Sequence, residues 1–243
     1  MEKTFLMADI HGGYRSLMQC FERSKFNYKK DRLIVLGDVC DGWAQTKECI
    51  EELLKVKNII YILGNHDFWA LDYYKTGKKE YLWVTQGGYN TIKSYGEEGM
   101  PTSHIEFLEN AKYYYEEDGI LFVHGGIIPN IPIKNITKEH LMWDRDLIFN
   151  AHKKSNGRPN YRMQDIYNEI FVGHTSTGMF RTYLPLKCCE VTDLDTGGGW
   201  DGVLTIMNLK TREYWYSDYV HTLYPESYGR EDYNKNGTFH EHP

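Results

Sequence analysis

The chain has 243 residues, 41% of them hydrophobic and 26% charged, close to globular averages, so disorder of the whole chain is excluded. With 28 Lys and Arg against 34 Asp and Glu, the net charge is −6; that builds no field for long nucleic acid, though it allows a local basic pocket for one phosphate. No apolar run approaches the roughly 18 to 20 residues of a membrane span, and the opening stretch from Met1 to Asp9 turns acidic too soon for a secretory signal. Five cysteines (Cys20, Cys40, Cys49, Cys188 and Cys189) form no zinc-like C-x-x-C pair, so the expectation is a cytoplasmic protein with reduced thiols.

In chain order, Phe5-Leu6-Met7-Ala8 reads as a buried strand that ends at Asp9. A helical face follows with Leu17, Cys20 and Phe21. Leu33 to Leu36 is a second strand, ending at Gly37-Asp38, and Cys49, Ile50, Leu53 and Leu54 mark the next helix over residues 44–55. Ile59 to Leu63 runs into Gly64-Asn65-His66-Asp67, Ile120 to Val123 into His124-Gly125-Gly126, and Ile170 to Val172 into Gly173-His174-Thr175. Continuous apolar runs of this length belong to strands covered on both faces, and strand–helix alternation implies parallel crossovers in an α/β core. Val203–Leu209 and Glu213–Ser217, flanking Lys210-Thr211-Arg212, predict a late antiparallel hairpin. The organisation expected is one domain over residues 1–220, with a mostly helical insertion at about 68–118 and a mostly irregular one at about 127–168. Residues 221–243 follow as a polar C-terminal extension.

Five strands thus each end in a metal-ligating residue type: Asp9 with His11, Asp38, Asn65 with His66, His124, and His174. The carboxyl ends of strands line the crevice of an open α/β sheet, so residues far apart in sequence can converge there. Two Asp, three His and one Asn suit two divalent ions of the Mn, Fe, Zn or Mg kind better than a thiolate site. Each motif alone has a plainer reading, an Asx-capped turn for Gly37-Asp38-Val39-Cys40-Asp41-Gly42 or an ordinary polar side chain for each histidine. Their joint occurrence after strands favours the metal site.

Asp9-Ile10-His11-Gly12, Gly37-Asp38-Val39-Cys40-Asp41-Gly42, Gly64-Asn65-His66-Asp67, His124-Gly125-Gly126 and Gly173-His174-Thr175 resemble the ordered motif set of the calcineurin-like metallophosphoesterases. A single histidine in the last motif, and Asp195-Thr196-Gly197 followed by Gly202-Val203-Leu204-Thr205, resemble its phosphoprotein-phosphatase branch, including compact bacterial and phage members. The resemblance implies a sandwich of two mixed β-sheets flanked by helices, with the metal site at the strand C-terminal ends. It implies that Asp9 and His11 bind one ion, that Asn65, His124 and His174 bind a second, and that Asp38 bridges both. Manganese is the first expectation for the pair. Hydrolysis of a phosphomonoester by metal-bound hydroxide would follow, with His66 as general acid oriented by Asp41, although His66 could instead bind phosphate. A serine/threonine or tyrosine phosphoprotein is the substrate implied first. The alternative is a dinucleoside tetraphosphate or another nucleotide or nucleic-acid-end phosphohydrolase.

One departure keeps that alternative open. The branch carries Arg after the second Asp of its G-D-x-x-D motif, and here that position is Gly42, followed by Trp43. A bidentate phosphate contact is missing. Leu141-Met142-Trp143-Asp144-Arg145 resembles a substrate-binding segment, which makes Arg145 the first candidate replacement, with Arg158 and Arg162 behind it and an ion pair to Asp144 or Asp146 as the plain reading. Asn65 is expected to touch substrate as well as metal.

Overall fold

The structure is a computed structural model and describes residues 2–155 and 161–236. Two five-stranded mixed sheets face each other. The first contains β1 (Thr4–Met7), β2 (Arg32–Val35), β3 (Asn58–Tyr61), and later β9 (Thr205–Asn208) and β10 (Tyr214–Tyr216), in the order β10-β9-β1-β2-β3. The second contains β4 (Tyr114–Glu117), β5 (Ile120–Val123), β6 (Glu169–Val172), β7 (Leu186–Cys188) and β8 (Val191–Asp193), in the order β4-β5-β6-β8-β7. Each sheet has a parallel trio, β1-β2-β3 or β5-β6-β8, with antiparallel partners at its margin. The five expected strands are present with ends displaced by no more than two residues, and the late hairpin is β9–β10, paired Met207 to Tyr214.

The continuous apolar runs divide by the two-residue period of a strand. On one face, Leu6, Ile34, Leu36, Phe122, Phe171 and Leu194 fill the layer between the sheets. Phe122 and Phe171 stack there at 5.6 Å. On the other face of the first sheet, Phe5, Met7, Leu33 and Val35 meet helices α1 (Tyr14–Ser24) and α2 (Thr46–Leu53) through Leu17, Cys20, Phe21, Cys49, Ile50 and Leu53. Leu121, Val123, Ile170 and Val172 form the outer core of the second sheet.

The segment at 68–118 contains most of α3 (Asn65–Thr76), then α4 (Tyr81–Trp83), α5 (Tyr89–Tyr95), α6 (Thr102–Glu109) and β4. The 127–168 segment is more regular than its sequence suggests. It holds α7 (Lys138–Trp143), capped by Thr137, and α8 (Asp146–Ser155), which bury Leu141, Met142, Leu147, Ile148 and Ala151. Their apolar pattern is broken in the sequence by Asp144-Arg145, which is why no helical period stands out. Beyond β10 the described part of the chain packs back on the domain. It forms α9 (Val220–Leu223) and α10 (Asp232–Asn236), burying Val220, Tyr224 and Arg230. Tyr224 stacks on Trp43 at 5.1 Å, and the Asn90 amide donates to the carbonyls of both Gly42 and Gly229, pinning this strap to the loop after β2. Among the described residues, no helix is long and apolar enough to cross a membrane.

Candidate metal centre and catalytic cleft

Both parallel trios point their carboxyl ends to the same rim, and the polar residues that follow them converge. Asp9, His11, Asp38, Asp41 and His174 all adopt left-handed backbone conformations, with φ between 48° and 71°. Such angles are uncommon outside glycine and gather at functional sites. Here they turn each side chain back over its strand end. Glycines make the approach possible: a Cβ on Gly64 would lie 2.0 Å from Asp38 Oδ1, and one on Gly173 would lie 2.2 Å from Asp9 Oδ2.

Two groups of candidate ligands result. Asp9, His11 and Asp38 form one and Asp38, His124 and His174 the other; within each, one donor atom per residue lies within 4.8 Å of the rest. Asp38 belongs to both. His11 Nδ1 pairs with the Cys40 carbonyl at 2.9 Å and His124 Nδ1 with that of Leu36 at 2.6 Å. Donation from Nδ1–H fixes each tautomer and turns the Nε2 lone pair inward, the arrangement common among metal-binding histidines. His124 Nε2 lies 3.3 Å from Asp38 Oδ2 and 3.0 Å from Asn65 Oδ1. The buried Nε2 of His174 has no hydrogen-bond partner.

The electrostatics call for a cation. Burial, then the charges of Asp195 and Asp38, hold Asp9 well above the usual carboxylate range, and burial with Asp195 does the same to Asp193. Burial opposes the charge on Asp38, but His124, His66 and His11 outweigh it and hold that carboxyl low. Burial, reinforced by His124 and Arg145, pulls His174 down to about 2, so its imidazole is neutral and available as a ligand. Converging oxygens, inward imidazole lone pairs and an unpartnered Nε2 make a donor set that fits divalent ions.

Beside this centre, His66 Nδ1 lies 2.6 Å from Asp41 Oδ2. Asp41 is fully buried and also accepts from Trp83 Nε1 at 2.8 Å and Thr91 Oγ1 at 2.7 Å, so its carboxylate cannot swing away. Asp67, which the sequence reading assigned no role, braces the whole loop after β2. Its oxygens accept from the backbone N–H groups of Asp38, Val39, Cys40 and Gly64 and from Tyr61 Oη, at 2.7 to 3.1 Å. Asp67→Asn turns an acceptor into a donor facing those N–H groups, and we expect a loss of about 2 to 4 kcal/mol, read as a lower urea midpoint at unchanged slope. Cys40 is buried and its thiol is pushed well up by burial, then by Asp67 and Asp41, so it packs rather than reacts.

A cavity of about 660 Å³ opens over the centre, lined by His11, Asp38, Asn65, His66, His174 and Asp195 at its floor. Trp69, Trp143, Tyr183 and Trp200 form its walls. Arg145 also lines it, and Nη1 donates to the His174 carbonyl at 3.1 Å rather than pairing with Asp144 or Asp146. Arg162 points elsewhere, donating to the Tyr167 carbonyl, and Arg158 lies outside the described residues. The cationic wall the sequence did not disclose is Arg230, from the strap. It is 8% exposed, and Nη2 lies 2.7 Å from His11 Nε2 and Nη1 3.1 Å from His66 Nε2. Only its place in a polar tail spoke for it, and that reads as solvent-facing.

The sequence profile of the calcineurin-like phosphoesterases matches residues 3–178. A symmetrical bis(5'-nucleosyl)-tetraphosphatase of Nitrosomonas europaea is 24% identical over 54% of this chain and 47% of its own, and the one from Methylobacillus flagellatus is 27% identical over 52% and 44%. The chain thus spans about half the length of these two curated relatives. The Pseudomonas fluorescens enzyme of the same name is 23% identical over 86% of this chain and 92% of its own. Among solved structures, one provisionally described as a diadenosine tetraphosphatase superposes with a TM-score of 0.64 at 14% identity, covering 88% of this chain and 92% of that one. The cold-active protein-tyrosine phosphatase of a Shewanella species gives 0.53 at 16%, covering 90% and 81%. At such identities the superpositions speak for the fold alone.

Proposed function

This chain belongs to the calcineurin-like phosphoesterase family, a family of metal-dependent phosphoester hydrolases, and from that premise we propose that it splits dinucleoside tetraphosphates symmetrically. The observation that carries this reading is the cleft, where four aromatic side chains, Trp69, Trp143, Tyr183 and Trp200, stand around a metal-ligand floor in about 660 Å³. Aromatic faces accept bases by stacking, and Trp200 is half exposed in readiness for one. A flexible phosphopeptide has less use for such walls. The symmetrical tetraphosphatases to which this chain is similar support the same substrate class.

In this reading Asp9, His11 and Asp38 hold one divalent cation, and Asp38, Asn65, His124 and His174 hold the other, with manganese the first expectation. When bound, such ions supply positive charge at a phosphoryl oxygen and acidify water. The rest falls to the chain. Trp69, Trp143 and Trp200 take up the bases, Arg145 sits where it meets a phosphate, and Asn65 faces both ligands and cleft. Breaking the central P–O–P bridge consumes one water and releases two nucleoside diphosphates. The departing oxygen needs a proton, which His66 Nε2 delivers while Asp41 holds its Nδ1–H in line.

The test is a competition of substrates on manganese-loaded protein. A dinucleoside tetraphosphate, an aryl phosphomonoester, an aryl phosphodiester and phosphopeptides are offered at equal concentration. The tetraphosphate is expected to show the highest kcat/KM, with nucleoside diphosphate as the sole nucleotide product. A tenfold advantage for phosphopeptide, or a mixture of mono- and triphosphate, overturns the assignment.

A further inference from the structure

A side chain at position 42 would be strained and would push on His11. Gly42 has φ +78°, and a Cβ there would lie 2.9 Å from His11 Cβ, while its carbonyl is held by Asn90. A phosphate-binding arginine is disfavoured at that position, and a guanidinium arrives beside it from the other end of the chain. Asn90 joins Gly42 to Gly229, Trp43 carries Tyr224, and Gly229 packs against the Trp43 ring, so the strap is fixed at three points directly before Arg230.

The Arg230 side chain is fixed as firmly. Nε donates to the Gly199 carbonyl at 3.2 Å, Nη1 reaches the Gln86 carbonyl at 3.4 Å, and the guanidinium lies 4.5 Å from the Trp200 ring. Its two terminal nitrogens face His66 and His11 across the cavity floor, and its hydrogen bonds go to carbonyls and imidazoles rather than to a carboxylate. Burial lowers its pKa, and Asp38, Asp41 and Asp195 work against that loss. A buried, positioned guanidinium whose hydrogen bonds go to no carboxylate is suited to a phosphate.

We infer that the C-terminal strap supplies the phosphate-gripping residue of this site through Arg230, replacing the arginine that position 42 lacks. The inference rests on the proposed phosphohydrolase chemistry but not on which nucleotide is the substrate. His11 Nε2 has one lone pair, which Arg230 and a cation cannot share. With the ions in their ligands and His66 Nε2 carrying the proton it delivers, neither imidazole nitrogen is open to Arg230, and Nη1 and Nη2 both turn to the next acceptor over the floor, a phosphoryl oxygen of the substrate. The fork of Arg230 then grips the phosphate in the cavity that Arg145 also lines.

The experiment measures inorganic phosphate, both as a competitive inhibitor of aryl phosphate hydrolysis and by calorimetric titration of the manganese-loaded protein. Arg230→Ala and Arg230→Lys are compared with the native chain. Phosphate affinity is expected to fall 10- to 100-fold in Arg230→Ala, with KM for aryl phosphate rising in parallel. Lys restores charge but not the fork and is expected to recover only part of the loss. Manganese affinity is expected to hold or tighten, since a competitor for His11 Nε2 is gone. Unchanged phosphate affinity overturns the inference, and so does loss of manganese in both variants, which would make Arg230 a structural prop. Should Arg230→Ala fail to fold, Arg230→Lys decides by the same phosphate titration. Failure of the native chain to cleave dinucleotide would sink the proposed function yet leave this titration intact.

Discussion

Asp38→Asn is expected to lower kcat by about three orders of magnitude and to strip the protein of bound manganese, with the fold intact. The reasoning starts from geometry. Asp38 is the one residue common to both candidate ligand groups, and its carboxylate faces His11 at 3.6 Å and His124 at 3.3 Å. An amide of the same shape keeps the acceptor for the His66 backbone N–H, now 3.0 Å from Asp38 Oδ1, so the loop has no reason to collapse. What is lost is the negative charge at the centre of the donor set, and about 4 kcal/mol of transition-state charge stabilisation corresponds to that thousandfold drop. Elemental analysis after desalting checks the metal, circular dichroism checks the fold, and steady-state kinetics checks the rate. Full metal content with activity within tenfold of native would remove Asp38 from the centre.

The second large effect separates proton delivery from phosphate binding at His66. In His66→Gln, hydrolysis of phenyl phosphate, whose phenoxide leaves poorly, is expected to slow by about 10² to 10⁴ in kcat. With dinitrophenyl phosphate, whose leaving group needs no proton, the loss is expected to shrink to tenfold or less. The structural ground is the Asp41–His66 pair, locked by Trp83 and Thr91 and buried beside the ligand groups. Asp41→Asn is expected to show the same leaving-group dependence in weaker form. An equal loss on both substrates would make His66 a phosphate-binding residue instead.

What could be read from the sequence followed from continuity along the chain. Leu33 to Leu36 and Ile120 to Val123 are unbroken apolar runs, and a strand buried on both faces leaves no other pattern, so strand and candidate ligand came together at Asp38 and His124. The division into two mixed sheets came from resemblance, and the five strands of each from the structure, since period and composition do not say which strands pair. Asp67 stood inside a recognised motif, but its five hydrogen bonds go to groups that gather only after folding. Arg230 was hidden for a stronger reason. The sequence separation of 164 from His66 is bridged by a stack of Tyr224 on Trp43 and by one asparagine amide, and no local pattern encodes such contacts. Likewise α7 and α8 are short and separated by Asp144-Arg145, and the helical period that Leu147, Ile148 and Ala151 carry spans little more than one turn.

The first sheet brings Asp9, His11, Asp38 and Asn65 to the rim, and the second brings His124 and His174. The distance between those two sets is therefore set by the thickness of the layer of Leu6, Ile34, Leu36, Phe122, Phe171 and Leu194 between them. That layer is a spacer whose calibre is the calibre of the reaction centre. A methylene lost or gained there is expected to shift the gap at the rim as well as to lower stability, because packed interiors pass strain along. Substitutions within this one slab are therefore expected to register both in stability and in the spacing of the two candidate ligand sets.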